Sequence, residues 1–277
     1  MGYSLVSVVI SFLNPGQWLK EAVDSVIGQS YTYWEILLVD DGSVESDSNI
    51  AREYARAYPG KIRYIDHPGH RNIGLTASRN VGIKLASGSL IAFLDADDYW
   101  CCEKLSFQVD LFKKYPQIEM ICEASLFWYS WEDALINDPI TYIGVPSGIY
   151  APGTLIKKLY PLGKGQPPCP SGIILKKCAL VRNRGFEEAF SGIYQLYEDQ
   201  AFLAKMYMNE VIYISDIAHN KYRKHEGSMT SASNDLELYT KVRNFYLDWL
   251  THYLSERSIK DEAVNTLIIS ARLSVIV

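Results

Sequence analysis

The sequence predicts an α/β fold, with a mixed, mainly parallel sheet flanked by helices and a helical extension at the C-terminal end. Three observations carry this expectation. Apolar, β-branched runs of strand length recur at 6–13, 35–40, 61–66 and 89–94. Segments with helical spacing separate them, the alternation expected of a parallel sheet with helical crossovers. Acidic residues gather just past two of these runs, where ligands collect at the carboxyl ends of strands in such sheets.

The elements follow in order. Val6–Leu13 is almost continuously apolar, as in a strand covered on both faces. Asn14-Pro15-Gly16 breaks it, with Pro15 suited to a helix start. Apolar residues at 18, 19, 22, 23, 26 and 27 then have helical spacing. Trp18, Ile27 and Trp34 are expected to pack the first layer. Glu35–Asp40 reads as a second buried strand, followed by a helix that Ser46 or Asp47 would cap, through about Tyr58. Lys61–Asp66 is a third strand, Thr76–Ala86 a helix and Ser89–Leu94 a fourth strand. Past Cys122 the pattern loosens into mixed strands and a long Pro- and Gly-containing loop at 146–172. Residues 197–208 return to helical spacing, Val211–Ile214 and Ala218–Tyr222 read as two short strands, and helices are expected over Leu236–Ser255 and from Ile259 to the end.

Composition narrows the class. The chain has 277 residues, 48% hydrophobic and 21% charged, with a net charge of -5. That is globular material long enough for a sizeable core, and it lacks the basic surplus of a general nucleic-acid binder. The five cysteines are odd in number and none has CxxC spacing, which points to reduced thiols in a cytoplasmic protein rather than a disulfide or zinc framework. No secretory leader is recognisable, and no apolar stretch approaches the ~20 residues of a membrane span. The chain ends inside the apolar "LSVIV", from which a continuation beyond residue 277 is expected, either a membrane anchor or a further domain.

The segment "LIAFLDADDYW" (90–100) raises a chemical question. Asp95, Asp97 and Asp98 crowd the tip of a buried strand, and each disfavours ionisation of the next. Two carboxylates one residue apart can share a hard divalent cation, magnesium or manganese, that keeps positions open for phosphate oxygens. The plainer reading is a solvated acidic turn.

Ordered motifs favour the first reading. "VSVVISFLN" at the start, "EILLVDDGS" (35–43), "ASRNVGIKLASGSLIAFLDADDYW" (77–100), "GFEE" (185–188), "YEDQAFLAK" (197–205) and "YRKHEGSMT" (222–230) together resemble the family 2 inverting glycosyltransferases of the GT-A fold. The resemblance spans about the first four-fifths of the chain and fades after Ala232. It implies a GT-A domain over 1–232, with a nucleotide-sugar half over about 1–122 and an acceptor half over about 123–232. Residues 233–277 form the helical extension, read as cut short.

The resemblance also implies roles. Asp41 would accept a hydrogen bond from the nucleotide base, a uracil N–H being a suitable donor, with Ser11 and Asn14 lining the same pocket; otherwise Asp41 is a turn residue. Arg79 would reach the nucleotide or its diphosphate through its planar fork. Asp97 would be the direct metal ligand, with Asp95 on the ribose or a metal-bound water, and Asp98 either orienting them or capping the next helix. Asp199 would be the base that deprotonates the acceptor hydroxyl, with Glu198 beside it; a first-turn helix carboxylate is the plainer role, and the two are compatible. His225 would sit near metal or diphosphate, and Arg223 and Lys224 would hold the diphosphate on a loop hinged at Gly227. The aromatic run 127–131 is open between core, acceptor platform and partner surface.

Two departures from the family pattern bear on this. Leu13 stands where relatives carry a base-stacking aromatic, and no QxxRW-type motif of processive synthases is present, which favours single additions. A receiver domain is excluded by the strand and helix that precede the first acidic pair, and a nucleotidyltransferase by a first loop poor in Gly and Arg. A catalytically inactive nucleotide- or sugar-binding module of the same fold is the alternative. The expected activity is metal-dependent, inverting hexosyl transfer from a nucleotide-sugar, with UDP the expected nucleotide, in polysaccharide or glycan biosynthesis. The acceptor is open among glycan, lipid-linked and protein species. Peripheral association with the inner membrane face and self-association through the C-terminal helices are further expectations.

Overall fold

The structure, a computed structural model, describes residues 4–226 and 235–273. Ten strands form one sheet: β1 (Val6–Phe12), β2 (Trp34–Asp40), β3 (Ile62–Asp66), β4 (Leu90–Phe93), β5 (Tyr99–Trp100), β6 (Met120–Trp128), β7 (Ile140–Thr141), β8 (Gly148–Tyr150), β9 (Ile173–Lys176) and β10 (Ile212–Arg223). The helices are α1 (Trp18–Ile27), α2 (Glu45–Ala57), α3 (Leu75–Leu85), α4 (Lys104–Lys114), α5 (Lys177–Arg182), α6 (Glu198–Asn209), α7 (Leu236–Glu256) and α8 (Glu262–Leu273). The order across the sheet is β3-β2-β1-β4-β9-β6-β10-β5, with β7 added to β6 and β8 to β10. β3, β2, β1 and β4 run parallel, β9 is antiparallel to both its neighbours, and β10 returns parallel to β6.

The first half follows the sequence pattern closely. Every residue of β1 and β2 is buried, as continuous apolar runs covered on both faces require. One core face carries Val8, Ile10, Ile36 and Leu38 under α1, and the other carries Val9, Leu37 and Val39 under α3. A Cβ on Gly82 of α3 would lie 2.4 Å from Val9 Cγ1, so glycine lets this helix sit directly on the sheet. That close seat brings the first turn of α3 to the carboxyl ends of β1, β2 and β4.

Three expectations change. The helix after β2 begins at Glu45 with Val44 as its N-cap and no side-chain cap. Asp47 instead accepts the Gly16 N–H at 2.7 Å, and Ser46 donates to Asp47, so both residues tie the β1 loop to the helix rather than cap it. The two short strands expected over 211–222 are one strand, β10, with its register to β6 shifting between Ser215 and Asn220. A bulge of this kind bends a strand without ending it. Trp18 does not pack the first layer: it is half-buried, edge-on to Trp131 and 4.5 Å from the His225 ring.

The C-terminal helices join the same core. Val242, Tyr246, Leu247 and Leu250 of α7, and Val264 and Ile268 of α8, are buried with residues of α6 and the sheet. Among the described residues no helix is long and apolar enough to cross a membrane.

Candidate functional site

The loops at the carboxyl ends of β1, β2 and β4 surround a cleft of about 520 Å³, lined among others by Ser11, Asn14, Trp18, Asp41, Arg79, Asp95, Asp97, Glu198, Asp199 and His225. Each side chain arrives by an identifiable local cause. Asp40 and Asp41 end β2 but face opposite ways. Asp40 is fully buried and accepts hydrogen bonds from Ser43, Ser48 and Tyr64, so it staples the loop. Asp41 turns to the cleft and accepts the amides of Ile73 and Gly74 at 2.8 and 3.1 Å. It therefore fixes the loop before α3 while lining the cavity. Gly42 is required here: its φ is +83°, and a Cβ would lie 2.8 Å from the Asn72 amide nitrogen.

Ser11 lies at the end of β1 with its hydroxyl buried and unpaired among the described residues. A buried polar atom without a partner is costly, so this hydroxyl is suited to a ligand group. Asn14 has φ 52°, and its side-chain oxygen accepts the Val44 N–H. Leu13 is exposed on the cleft wall.

The acidic tip is answered by a single guanidinium. Arg79, in the second turn of α3 and 3% exposed, donates to Asp95 Oδ1 at 2.6 Å and to Glu198 Oε1, over the face of Phe186. It joins the tip of β4 to the start of α6. Desolvation raises the Asp95 pKa despite this partner, and Asp97 nearby raises it further. Asp98 is not a helix cap. It is buried and accepts the Ser171 hydroxyl at 2.5 Å and the Arg223 amide at 2.9 Å, and burial among Asp95 and Asp97 holds its pKa well above the usual range. Ser171 Oγ also receives the Asp95 N–H, so Asp98 and Ser171 together set the shape of the tip.

Asp97 is the most exposed member of the cluster and lines the cavity beside Asp95. Its Oδ2 is 3.1 Å from His225 Nε2, and His225 packs on Trp18. Among the described residues no group of three or more His, Cys, Asp or Glu side chains is arranged to hold a metal ion. Asp97 and His225 thus face the cavity as a hydrogen-bonded pair, with Asp95 partly committed to Arg79.

Arg223 departs from its expected place. It ends β10, is 2% exposed, and does not line the cleft. Its Nε donates to the Asp97 carbonyl at 2.7 Å and its Nη2 to Glu21 at 2.6 Å. Trp18, Trp128 and Trp131 surround the guanidinium, with ring centroids 5.4, 4.3 and 5.0 Å away. Its cation is spent bracing the acidic loop from behind, so a diphosphate contact is replaced by a positioning role. The same contacts assign Trp128 and Trp131 of the aromatic run, while Phe127 lines a second cavity. Lys224 stacks over Phe127 and Tyr222 on that second cavity rather than at the first. Gly227, the expected hinge, and the rest of its motif through Thr230 lie outside the described residues.

Glu198 and Asp199 open α6 and line the same cleft as the tip. Burial pushes the Glu198 carboxyl up to about 7, against the pull of Arg79, and its Oε2 is buried without a partner among the described residues. Burial likewise pushes Asp199 up to about 6, partly offset by the Gln200 amide and side chain, which donate to its two oxygens at 2.7 and 3.1 Å. Asp199 lines both cavities. Gln200, Ser171, Glu21 and Trp18 were not singled out for the site by the sequence reading, and only the position of Gln200 beside the acidic pair hinted at any of them.

Comparison with known proteins agrees with this architecture. Residues 7–190 match the family model described as "Glycosyl transferase family 2". The glycosyltransferase GlyA of Streptococcus pneumoniae serotype 4 is 26% identical over 228 residues, which are 81% of this chain and 31% of that protein. An uncharacterized glycosyltransferase of Nostoc sp. is 36% identical over 108 residues, 39% of this chain and 33% of that protein. The chain thus spans about a third of the length of these curated relatives. Among solved structures, S. aureus TarS 1-349 superposes with a TM-score of 0.66 at 20% identity, covering 97% of this chain and 70% of that one; it has also been solved with UDP-GlcNAc. The mannosyltransferase PcManGT of Pyrobaculum calidifontis, solved with GDP-Man and Mn2+, gives 0.63 at 13% identity over 98% of this chain and 70% of that one.

Proposed function

This chain belongs to glycosyl transferase family 2, and on that premise we propose that it transfers a sugar from a nucleotide-sugar, UDP-linked, to an acceptor hydroxyl with inversion at the anomeric carbon. The observation that carries this reading is the convergence of two acidic sites on one cleft, Asp95–Asp97 and Glu198–Asp199, joined by the Arg79 guanidinium. An in-line displacement needs opposed sites: one for the leaving diphosphate, one for a base behind the incoming oxygen.

The donor fills the β1–β2 side of the cleft. Asp41 retains acceptor capacity toward a base N–H, and the unpaired Ser11 hydroxyl offers a second contact. The residues fit a magnesium or manganese ion that reaches the protein together with a diphosphate. Asp97 and His225 provide one carboxylate and one imidazole, and such ions take one or two protein ligands and complete their shell with phosphate oxygens and water. When bound, the cation supplies Lewis-acid neutralisation of the departing diphosphate.

Asp199 acts on the other face. Its carboxylate, with a pKa near 6, is ionised at neutral pH yet basic enough to take a proton as the hydroxyl oxygen bonds to the anomeric carbon. The carbon–oxygen bond to the diphosphate breaks, and its electron pair leaves with UDP. Gln200 holds the Asp199 carboxylate in place. Glu198 with Arg79 ties the base helix to the donor tip, so that donor and base sites keep a fixed separation.

The test is calorimetric titration of UDP and GDP into the protein with Mn2+ and then with EDTA. Metal-dependent UDP binding supports the donor reading. Absence of binding to either nucleotide under both conditions overturns it in favour of an inactive module of the same fold.

A further inference from the structure

Behind Asp199 lies a second cavity of about 440 Å³, within the size range of small-molecule sites. It meets the donor cleft at Pro170, Leu196, Asp199 and Tyr222, which line both. From this juxtaposition we propose that the second cavity is an acceptor pocket for an uncharged sugar ring, and that Gln200 selects which hydroxyl of that ring is presented to Asp199. This rests on the transferase reading above and adds to it the chemical class of the acceptor.

The walls fit a sugar. Phe127, Pro167, Pro168 and Tyr222 provide apolar faces, and a pyranose has C–H faces to lay against such surfaces while its hydroxyls point to polar groups at the edge. At the floor, the Tyr160 hydroxyl is hydrogen-bonded to those of Tyr197 and Tyr239, three groups that both donate and accept and so suit neutral hydroxyls. Tyr239 comes from α7, so the first of the C-terminal helices contributes to this pocket.

The charges disfavour an anion. Glu123 on the wall is fully buried and paired with Lys104 at 3.0 Å, which offsets its charge toward the cavity. Among the described residues that leaves Asp199 and Lys224 as the charged groups on the lining. An anionic acceptor would have to approach the Asp199 carboxylate, and Lys224 is already seated on the Phe127 and Tyr222 rings.

Gln200 supplies the specificity. Its backbone and side-chain N–H groups both donate to Asp199. This fixes the amide orientation, because the carboxylate needs the NH2 side and would be repelled by the oxygen. Gln200 lines this cavity, and its amide oxygen is buried without a partner among the described residues. A buried acceptor left unpaired is costly, and a hydroxyl adjacent to the reacting one on a sugar ring satisfies it. Asp199 then takes the proton of one hydroxyl while Gln200 Oε1 accepts from its neighbour, and a ring lacking that neighbour or presenting it on the wrong face is rejected.

Ligand-observed saturation-transfer NMR on the UDP- and Mn2+-loaded protein tests this, with methyl glycosides of glucose, galactose, rhamnose and N-acetylglucosamine as neutral probes. Methyl glucuronide and glycerol 3-phosphate are the anionic counterparts. The expected result is saturation transfer to at least one neutral glycoside and not to the anions, weakened about tenfold in Gln200→Met with UDP affinity unchanged. Tyr239→Phe, remote from the base, is the second variant and is expected to weaken the same glycoside severalfold. Stronger binding of an anionic probe, no binding of any neutral glycoside while UDP binds, or unchanged glycoside affinity in both variants overturns the proposal. Failure of UDP itself to bind overturns the transferase reading and this inference with it, and the same samples report it separately.

Discussion

Replacing Arg79 with methionine keeps much of the side chain's bulk and removes the charge that two carboxylates share. Arg79 is 3% exposed on its side chain, Glu198 6% and Asp95 25%. Removing one partner of a buried ion pair costs about 3–5 kcal/mol, because the charges left behind are desolvated and unpaired. For a chain of this size each kcal/mol lowers the Tm by roughly 2–4 °C, so a fall of roughly 6–20 °C is expected. The loss must depend on pH, and its sign follows from linkage. The Glu198 pKa in the folded protein is already raised, to about 7, so the folded state binds more protons than the unfolded one and this group's contribution worsens as pH rises. Losing Arg79 raises that pKa further. Each added unit costs up to about 1.4 kcal/mol at about pH 9 and almost nothing at about pH 5.5, where the group is protonated in both proteins. Asp95, being a quarter exposed, contributes less. The assay is urea unfolding of wild type, Arg79→Met and Arg79→Met/Glu198→Gln at both pH values. The single variant should lose more at the higher pH, and the added Glu198→Gln change should recover more than half of that loss. A pH-independent loss, or a double variant no more stable than the single one, would refute the idea that Arg79 is held by charge.

Asp199→Asn is expected to leave UDP affinity within about twofold and to lower turnover by about 10²–10⁴, the usual worth of a general base; normal turnover would remove Asp199 from that role. In the wild type, kcat/KM should fall as pH drops through about 6, the value to which burial pushes this carboxyl, and a flat profile from about pH 5 to 8 would contradict it. Asp97→Ala should abolish the EDTA-sensitive part of UDP binding, and His225→Gln should weaken it, both read by calorimetry against a GDP control. Gly42→Ala should cost about 1–3 kcal/mol from its positive φ. It should also weaken UDP binding, since the new Cβ would strike the backbone of His70–Asn72, directly before the Ile73 and Gly74 amides that Asp41 holds; an unchanged Tm would refute the close approach.

The pattern of what was legible in the sequence has a physical cause. β1, β2 and the helix between them were readable because both faces of those strands are buried, and continuous apolar runs leave little ambiguity. The acidic tip was readable for the opposite reason: charge placed at a strand end has no use in a core. Interactions across long sequence separations left no local sign. Asp47 looks like a helix cap by position, yet it serves Gly16, thirty-one residues earlier. β10 looked broken at 215–217 because a bulge interrupts alternation without interrupting pairing.

Arg223 shows how a motif can name a residue and leave its task undecided. "YRKH" reads as a basic loop for a diphosphate, which requires Arg223, Lys224 and His225 to share one surface. In the structure the strand reading ends one residue too early. β10 continues through Arg223, which pairs in register with Trp128 of β6, and the guanidinium enters a box of three tryptophans drawn from α1, β6 and the loop after it. Strand alternation then sends Lys224 to the second cavity, while His225 reaches the first. Three consecutive residues thus serve three places: the back of the acidic loop, the second cavity and the first cleft. The division follows from a strand ending where two cavities meet, and it joins the acidic loop and the wall of the second cavity through a single stretch of backbone.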